Sequence, residues 1–508
     1  GNLTIASGGQ IDVNEKGYAT EQGHGAGGSA SKNGSGAGHG GNGGLGGTSP
    51  SFAGTPYGSL TPPIANGSGG GKSMYSGAPG GSGGGVIYLL VSGTVTNEGS
   101  ILANGGNGEA SLGYSGGGGS GGSIYINAHT LEGAGTIAVN GGNGGTGNNH
   151  RDGGGGGGGR IALHYDTDNS TLTTLSAYGG SGPGNAQSGG AGTIVTKSST
   201  DTNGHLLVDN NNQSDGALTT TAQSETVNSI TVQNQGKFHI AVSHTITNTG
   251  SISGNASIYN SGIYNHPSPT LTIPTGLTWY ENGTDPHIGV TQPITDIIID
   301  GTLEFQNQNT DITPTSFNSI TINNGGILTH QANTNTQTDA LNLDLDDLTI
   351  NQGGKIDVSG KGYDVSQGPG KGIDNSSVSS GAGHGGDGGN SSSGVAGGAA
   401  YGSVNEPITI GSGGGISSSS ARTGRGGGAI KLIITNAIAI EGIIDASGLN
   451  GSGGRSDGGG AGGSVWITTA SISGSGSIIA NGGNGSHSVY GDGGGGGGGR
   501  IALHYDTD

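Results

Sequence analysis

Residues 119–142 read GSGGSIYINAHTLEGAGTIAVNGG, and this stretch contains the pattern from which the fold can be predicted. A glycine run leads into the apolar run 123–126 (SIYI). A turn with glycine then leads into a second run, 136–139 (TIAV), which is followed by 140–142 (NGG). Short runs rich in Ile, Val and Thr between Gly and Asn residues indicate β-strands. The stretch therefore predicts two short strands flanked by glycine-rich segments, and helix signals are nearly absent.

The same order of motifs returns at intervals of 33 to 37 residues. One such unit cannot bury its apolar face by itself, whereas stacked copies form a narrow, continuous core. We therefore predict an all-β fold, a parallel β-solenoid (β-helix) in which each repeat contributes one rung. The first strands of the repeats start at Ile87, Ile124, Ile161 and Ile194, and later at Ile430, Val465 and Ile501.

A longer duplication is superimposed on this short period. The stretch from Asp152 to Asp168 (DGGGGGGGRIALHYDTD) returns unchanged from Asp492 to Asp508, and the opening run 3–13 returns in modified form at 348–358. Because the chain begins in one strand motif and stops at the end of another, we expect the natural polypeptide to continue. We predict three segments, a Gly-rich repeat block at 1–200, a Gly-poor β spacer at 201–345 and a second Gly-rich repeat block at 346–508.

The spacer keeps the strand–turn–strand pattern but lacks the long glycine runs, as in 320–327 (ITINNGGI). This pattern predicts further rungs of the same kind. A separate β-sandwich is the alternative, and the spacer is a β structure in either case.

The composition favours a repetitive fold over ordinary compact domains. Glycine accounts for 122 of the 508 residues, apolar residues make up 29%, and there are only 4 Phe and 2 Trp. A compact core needs large apolar side chains, and this chain has few of them. The apolar residues lie in short, regularly spaced runs, which argues against disorder as well.

Charge and cysteine content exclude several classes of function. The net charge is −19 with only 15 Lys and Arg, and no basic cluster is visible, so we expect no nucleic-acid partner. The chain has no Cys, which excludes disulfides, thiolate catalysis and Cys-based metal sites. The longest apolar run, 86–91, is far shorter than the roughly 20 residues that a membrane-spanning helix requires, so we expect no membrane span.

Small residues recur at every third position of the glycine tract 25–46. A polyproline II helix has three residues per turn, and closely packed helices of this type demand a tiny residue on the packed face. The spacing predicts that the glycine tracts form packed polyproline II segments; flexible surface loops are the alternative, because ordering glycine costs the most entropy. The positions are Gly25, Gly28, Ser31, Gly34, Ala37, Gly40, Gly43 and Gly46.

Few residues suggest a catalytic or metal-binding role. Asp344, Asp346 and Asp347 could supply the paired carboxylates of a carbohydrate-active enzyme, but their alternation with Leu is more typical of a strand with one solvated face. We expect His24 and His39, and His384 of the second block, to face solvent or to bond to backbone carbonyls rather than to bind metal. We predict no catalytic, cofactor-binding or metal site.

Two recurrent polar motifs are interpreted as structural. The Asn-Gly-Gly and Asp-Gly-Gly motifs at 42–44 and 387–389 resemble calcium-binding nonapeptide repeats only weakly, and turn chemistry explains them better. Arg160 and Arg500 open the unchanged repeat, with Asp166 and Asp168 after Arg160. Their spacing on a strand allows an ion pair between neighbouring rungs.

The order of motifs, and not only the glycine content, resembles the repeats of very large secreted glycine-rich surface proteins of microbes. The resemblance covers both Gly-rich blocks and implies a location outside the cell or on its surface rather than an activity. The spacer is similar to filamentous-haemagglutinin-like β-helices in a generic way. The motifs are 57–59 (YGS) with 67–71 (GSGGG), 119–126 (GSGGSIYI), 140–145 (NGGNGG) and 157–162 (GGGRIA).

These observations predict a structural subunit of an extracellular fibre, sheath or biofilm matrix that self-associates into a homopolymer, with no cofactor. The alternative is the stalk or binding module of a giant surface adhesin that binds carbohydrate or another surface. A carbohydrate-active β-helix enzyme is a less favoured third hypothesis.

Overall fold

The computed structural model describes residues 1–48, 52–282, 294–307, 315–417, 424–452 and 456–507. These residues divide into two compact units, one up to Pro267 and one from Ser268 onward. Every regular element in them is a β-strand, which confirms the predicted all-β class. None of these ranges holds a helix that is long and apolar enough to cross a membrane. The boundary between the units falls inside segment 201–345, and the three-segment organisation stays a prediction.

The strands of the first unit are short apart from a few that span about ten residues. They are β1 (Leu3–Ile5), β2 (Gln10–Asp12), β3 (Val86–Asn97), β4 (Ser100–Leu102), β5 (Ala110–Ser111), β6 (Tyr114–Ser115), β7 (Ser123–Gly133), β8 (Thr136–Ala138), β9 (Arg160–Ser170), β10 (Thr174–Ser176), β11 (Thr193–Ser198), β12 (Gly204–Asp209), β13 (Thr219–Thr220), β14 (Glu225–Gln233), β15 (Lys237–Ile240), β16 (Thr245–Asn248), β17 (Ile252–Gly254), β18 (Ser257–Asn260) and β19 (Ile263–Asn265).

The second unit repeats this alternation of longer and shorter strands. Its strands are β20 (Thr270–Ile273), β21 (Thr278–Asn282), β22 (Asp296–Ile299), β23 (Thr302–Gln306), β24 (Thr315–Ile322), β25 (Ile327–His330), β26 (Leu341–Ile350), β27 (Lys355–Asp357), β28 (Ala429–Ile440), β29 (Ile443–Asp445), β30 (Ser464–Ser473), β31 (Ser477–Ile479), β32 (His487–Ser488), β33 (Gly491–Asp492) and β34 (Arg500–Thr507).

Most strand pairs in the first unit are parallel. The largest sheet runs β1-β3-β7-β9-β11-β12-β14, where β16 and β17 both pair with β14 and β19 pairs with β16. Within it, only the pair β11–β12 is antiparallel. A second parallel sheet runs β2-β4-β8-β10, and a third joins β13, β15 and β18. β5 and β6 form a small antiparallel hairpin.

The second unit contains two parallel series. One runs β20-β22-β24-β26-β28-β30-β34 and the other runs β21-β23-β25-β27-β29-β31. β32 and β33 form an antiparallel hairpin. Parallel neighbours need a long connection between them. From β26 to β28 and from β28 to β30 this connection includes a glycine-rich segment, whereas before β26 it includes a strand of the other series.

The strand starts predicted from the sequence are direct partners across the sheets. Ile87 pairs with Ile124, Ile124 with Ile161 and Ile161 with Ile194. In the second unit Ile430 pairs with Val465, and Val465 with Ile501. Each repeat of about 36 residues therefore lies against the next one, and equivalent apolar side chains form continuous rows.

These rows are the core of each unit. Ile124 and Ile161 are completely buried, as are Leu432 and Val465 in the second unit. Each large aliphatic side chain removed from water in this way contributes roughly 1.5–3 kcal/mol. The narrow core therefore needs few aromatic residues, as the composition implied.

The glycine tracts are held by backbone hydrogen bonds that follow a three-residue period. In tract 153–159 every N–H donates to a carbonyl at 2.7 to 3.1 Å, and the acceptors alternate among three neighbouring segments. The acceptors, in order from Gly153 to Gly159, belong to Gly145, Gly34, Gln187, Gly142, Ala37, Gly190 and Val139.

Glycine is required in this tract because the neighbouring backbones are in direct contact with it. A Cβ atom on Gly154, Gly156 or Gly157 would overlap the carbonyl oxygen of an adjacent segment, and the same holds for the rest of 153–159. All seven residues are buried. The tract is therefore an interior layer made of main chain, which differs from the surface loops considered as the alternative.

Candidate functional site

The acidic residues singled out in the sequence lie along one strand and do not form a pocket. On β26, Leu343 and Leu345 are buried, whereas Asp346 and Asp347 are exposed and Asp344 is half-buried. This is the solvated strand face that the Leu/Asp alternation predicted. Across the described ranges, no group of three or more His, Asp or Glu side chains is placed to hold a metal ion.

His39 belongs to a buried polar cluster in the first unit. Its Nδ1 lies 2.9 Å from the carbonyl oxygen of Gly121, and its ring packs on Tyr57 with 4.7 Å between centroids. The Arg160 side chain donates from Nε to the Tyr57 carbonyl (3.0 Å) and from Nη1 to Thr193 Oγ1 (3.0 Å). Burial, aided by the charge of Arg160, lowers the pKa of His39 to about 3, and burial lowers the pKa of Arg160 to about 10.

The second unit holds the same cluster. His384 Nδ1 lies 2.7 Å from the Gly462 carbonyl oxygen, its ring centroid is 4.7 Å from that of Tyr401, and Arg500 Nε donates to the Tyr401 carbonyl at 3.0 Å. Burial lowers the pKa of His384 to about 4. The expectation that these two histidines bond to backbone carbonyls is confirmed, whereas His24 is exposed.

The ion pair suggested for Arg160 is not formed, and this interpretation was wrong. Arg160 is only 2% exposed and turns inward to carbonyl groups, so it cannot reach the exposed end of its own strand. Asp166 instead meets His129 of the neighbouring strand, with Nδ1 and Oδ2 2.5 Å apart. A contact between neighbouring strands exists, but the partner of Asp166 is His129 and not an arginine.

The motifs at 42–44 and 387–389, for which we had expected turns, contain none. The Asn-Gly-Gly motif at 104–106 contains no turn either, whereas the one at 324–326 includes a turn. Asn104 Oδ1 accepts the N–H of Asn140 at 2.7 Å, and Asn140 Oδ1 accepts the N–H of Tyr178 at 2.7 Å. The side chains form a ladder from repeat to repeat, and their recurrence 36 residues apart is the sequence signal that could have revealed it.

The structure also places the two unchanged copies of the 152–168 stretch in different surroundings. In the first unit β9 is covered by β11, β8 is covered by β10, and tract 153–159 is covered by residues 187–190. Residues 172–198, which we call the covering repeat, supply all three contacts. Under this cover Ile161 is completely buried and Leu163 is 1% exposed.

In the second unit the equivalent surface, made by β31, tract 493–499 and β34, is open; we call it the final face. Among the described residues β31 and β34 each pair on one side only. Ile501 is 44% exposed and Leu503 is 36% exposed, although their sequence context matches that of Ile161 and Leu163. The final face is therefore an apolar strand edge beside exposed glycine backbone, formed by the last residues of the given sequence.

Exposed backbone donors accompany this edge. Gly155 and Gly158 donate their N–H groups to the covering repeat at 3.0 and 2.9 Å. Gly495 and Gly498 are exposed, and neither N–H has an acceptor within the described part of the second unit. An unpaired row of donors and acceptors beside apolar side chains favours the addition of another chain segment.

No known protein family, curated protein or solved structure matches this chain.

Proposed function

We propose that the protein is a structural subunit of an extracellular fibre, sheath or matrix and that it is secreted or held at the cell surface without catalytic activity. The observation that carries this proposal is the stacking of repeats in register within each unit, as in the pairs Ile124–Ile161 and Val465–Ile501. Further repeats can extend a stack of this kind at an exposed strand edge, because each added repeat buries the apolar face of the one before it. Self-association into a homopolymer would extend the stack between chains.

We infer further that the stacked strands wind as a parallel β-solenoid with polyproline II segments between them. Support comes from the three-residue period of the acceptors of tract 153–159. In a helix with three residues per turn, successive N–H groups point to three sides about 120° apart, so each can reach a different neighbour. The stacking of repeats in register supports the solenoid in the same way.

Apolar burial would stabilise the assembly. Ile501 and Leu503 are already more than half buried, so covering the rest of each would contribute less than the roughly 1.5–3 kcal/mol of full burial. Pairing the edge of β34 would add hydrogen bonds. No new side-chain chemistry is required, because the first unit already contains the same contact.

Electron microscopy and light scattering over a range of protein concentrations test the proposal. We expect fibres or large assemblies for the unmodified chain and loss of assembly for Ile501→Lys/Leu503→Lys, which places two charges on the final face. Val489→Lys is the matched control, because Val489 is 94% exposed on the β32–β33 hairpin. Monomers at every concentration, or equal assembly of both variants, would contradict the proposal.

A surface adhesin is the alternative function, and one observation favours it. Tyr88 and Tyr125 stack with ring centroids 4.9 Å apart, and Tyr88 is 47% exposed, so an aromatic platform of the kind that stacks on sugar rings faces outward. Carbohydrate binding by a chain that stays monomeric in the preceding experiment would favour this alternative.

A further inference from the structure

Three turns in the glycine-rich segments of the first unit bring side chains of successive repeats together. Each turn is closed at its base by a backbone hydrogen bond of 2.8 to 3.0 Å, and the turns span 73–78, 109–116 and 145–153. They carry Tyr75, Tyr114 and Arg151, which we call the tip row. The ring centroids of Tyr75 and Tyr114 are 5.7 Å apart, and the guanidinium carbon of Arg151 lies 4.5 Å from the centroid of the Tyr114 ring.

The polar groups of the tip row have no partner within the described residues. The hydroxyl groups of Tyr75 and Tyr114 make no hydrogen bond there, and the guanidinium of Arg151 makes no ion pair and donates to no acceptor. The adjacent carboxylate, that of Asp152, is buried and accepts the N–H of Gly147 at 2.9 Å. Arg151 therefore keeps a charged, planar set of donors that matches the two oxygens of a carboxylate.

Leu112 lies in the same hairpin as Tyr114, at a position that does not favour leucine. It is 85% exposed at the tip of the β5–β6 hairpin, and its φ of 51° is left-handed. The turn of the next repeat has Asn149 with a φ of 52°, and asparagine tolerates this conformation far better than leucine does. Because neither the backbone nor contact with water favours leucine here, Leu112 points to contact with a molecule outside the chain.

We infer that the tip row binds an acidic polysaccharide, a chain of sugar acids. A carboxylate of the ligand would bind the guanidinium of Arg151, ligand hydroxyls would bond to the two tyrosine hydroxyls, and the C–H face of a sugar ring would pack on Leu112 and Tyr75. The row crosses three rungs, about 10 Å at the usual strand spacing, so it fits a chain better than a single sugar. This inference goes beyond the proposed function and does not depend on self-association.

The net charge of the chain decides how the binding must be measured. At −19 the protein repels polyanions, so attraction at the tip row must come from direct contact. At roughly 0.15 M ionic strength, charges more than about 8 Å apart are largely screened. Binding is therefore measured at this ionic strength, where the contact with Arg151 is weakened less than the repulsion from distant carboxylates.

A short, fluorescently labelled uronic acid oligosaccharide is the direct probe. It is titrated into the full chain below its assembly concentration, and fluorescence anisotropy reports binding. The same oligosaccharide with its carboxylates reduced to alcohols is the matched ligand, because it differs only in the charged groups. We expect saturable binding of the acidic form and at least about tenfold weaker binding of the reduced form.

Variants of the full chain separate contact with the ligand from an effect on the fold. Arg151→Lys keeps the positive charge but loses the planar donor set, so we expect affinity to fall about tenfold. Leu112→Asn removes the apolar contact and introduces a residue suited to the left-handed backbone. Its affinity should fall, whereas urea unfolding should show no loss of stability. Val489→Asn, on the exposed hairpin of the second unit, is the matched control and should bind as the unmodified chain does.

Equal affinity for the acidic and the reduced oligosaccharide, or unchanged affinity in both Arg151→Lys and Leu112→Asn, would overturn the inference. Weaker assembly of Arg151→Lys without any oligosaccharide binding would overturn it as well, because a second copy of the chain would then occupy the row. The proposed function is tested separately. If fibres form but no oligosaccharide binds, the fibre proposal stands and the inference falls; if the oligosaccharide binds to a chain that never assembles, the inference stands and the fibre proposal falls.

Discussion

Gly158 and Gly498 occupy the same place in two identical stretches of sequence, yet only one of them requires the absence of a side chain. A Cβ on Gly158 would overlap the Ala177 carbonyl oxygen, whereas a Cβ on Gly498 would meet nothing within 4 Å. The requirement for glycine is therefore set by the neighbouring segment and not by the local backbone.

Alanine substitutions at these two positions should have different effects on stability. Gly158→Ala must displace a neighbouring backbone, so we expect it to lower the free energy of unfolding by about 1–3 kcal/mol. Gly498→Ala should change it by less than about 0.5 kcal/mol, as is usual for surface substitutions. Urea unfolding of the two variants and of the unmodified chain measures both changes in the free energy of unfolding. Equal destabilisation of the two variants would contradict a close-packed glycine layer.

Buried histidines make the fold sensitive to acid. His39 and His384 have folded pKa values of about 3 and 4 because burial disfavours the charged ring, whereas an unfolded histidine titrates near 6.5. Below pH 6.5 the unfolded chain therefore binds protons that the folded chain does not. The contribution of each neutral buried histidine to the free energy of unfolding is fully present above about pH 6.5. This contribution falls as the pH drops, by roughly 3 kcal/mol per histidine at pH 4.

Urea unfolding at a series of pH values between 7 and 4 checks this slope. We expect His39→Gln/His384→Gln to reduce the slope, whatever the change in stability at pH 7. Part of the slope should remain, because burial also lowers the pKa of His330 to about 4. A slope that the double variant keeps in full would show that other groups cause the acid sensitivity.

At the scale of strands, the sequence predicts the repeating elements well. The spacing of Ile124, Ile161 and Ile194 predicted strand starts that prove to be direct partners, because a parallel stack in register places equivalent apolar residues side by side. The small residues at every third position in 25–46 do not select the close contacts, because Gly36 and Gly41 outside that frame also touch neighbouring backbone whereas Ser31 within it is exposed. The polyproline II conformation of this tract stays a prediction.

Features that depend on distant partners could not be predicted in this way. Arg160 finds its acceptors on Tyr57 and Thr193, which lie far from it in sequence, so strand spacing alone suggested the wrong ion pair. The final face could be recognised only by comparing identical sequences in two structural settings.

At the scale of the whole molecule, the duplication allows the same sequence to be compared in two structural settings. Tracts 153–159 and 493–499 have the same sequence, so their amides have the same intrinsic exchange chemistry. The first tract is covered and its N–H groups are bonded, whereas Gly495 and Gly498 of the second are exposed. Any difference in hydrogen-exchange rate between the two tracts must therefore come from their structural surroundings.

Residue-resolved hydrogen exchange of these two tracts, in monomer and in assembled material, tests the central claim most directly. We predict that Gly155 and Gly158 are protected in both states, and that Gly495 and Gly498 exchange freely in the monomer and become protected on assembly. Exchange of Gly155 and Gly158 at random-coil rates would contradict an ordered glycine layer. Free exchange of Gly495 and Gly498 in assembled material would contradict the final face as the assembly surface.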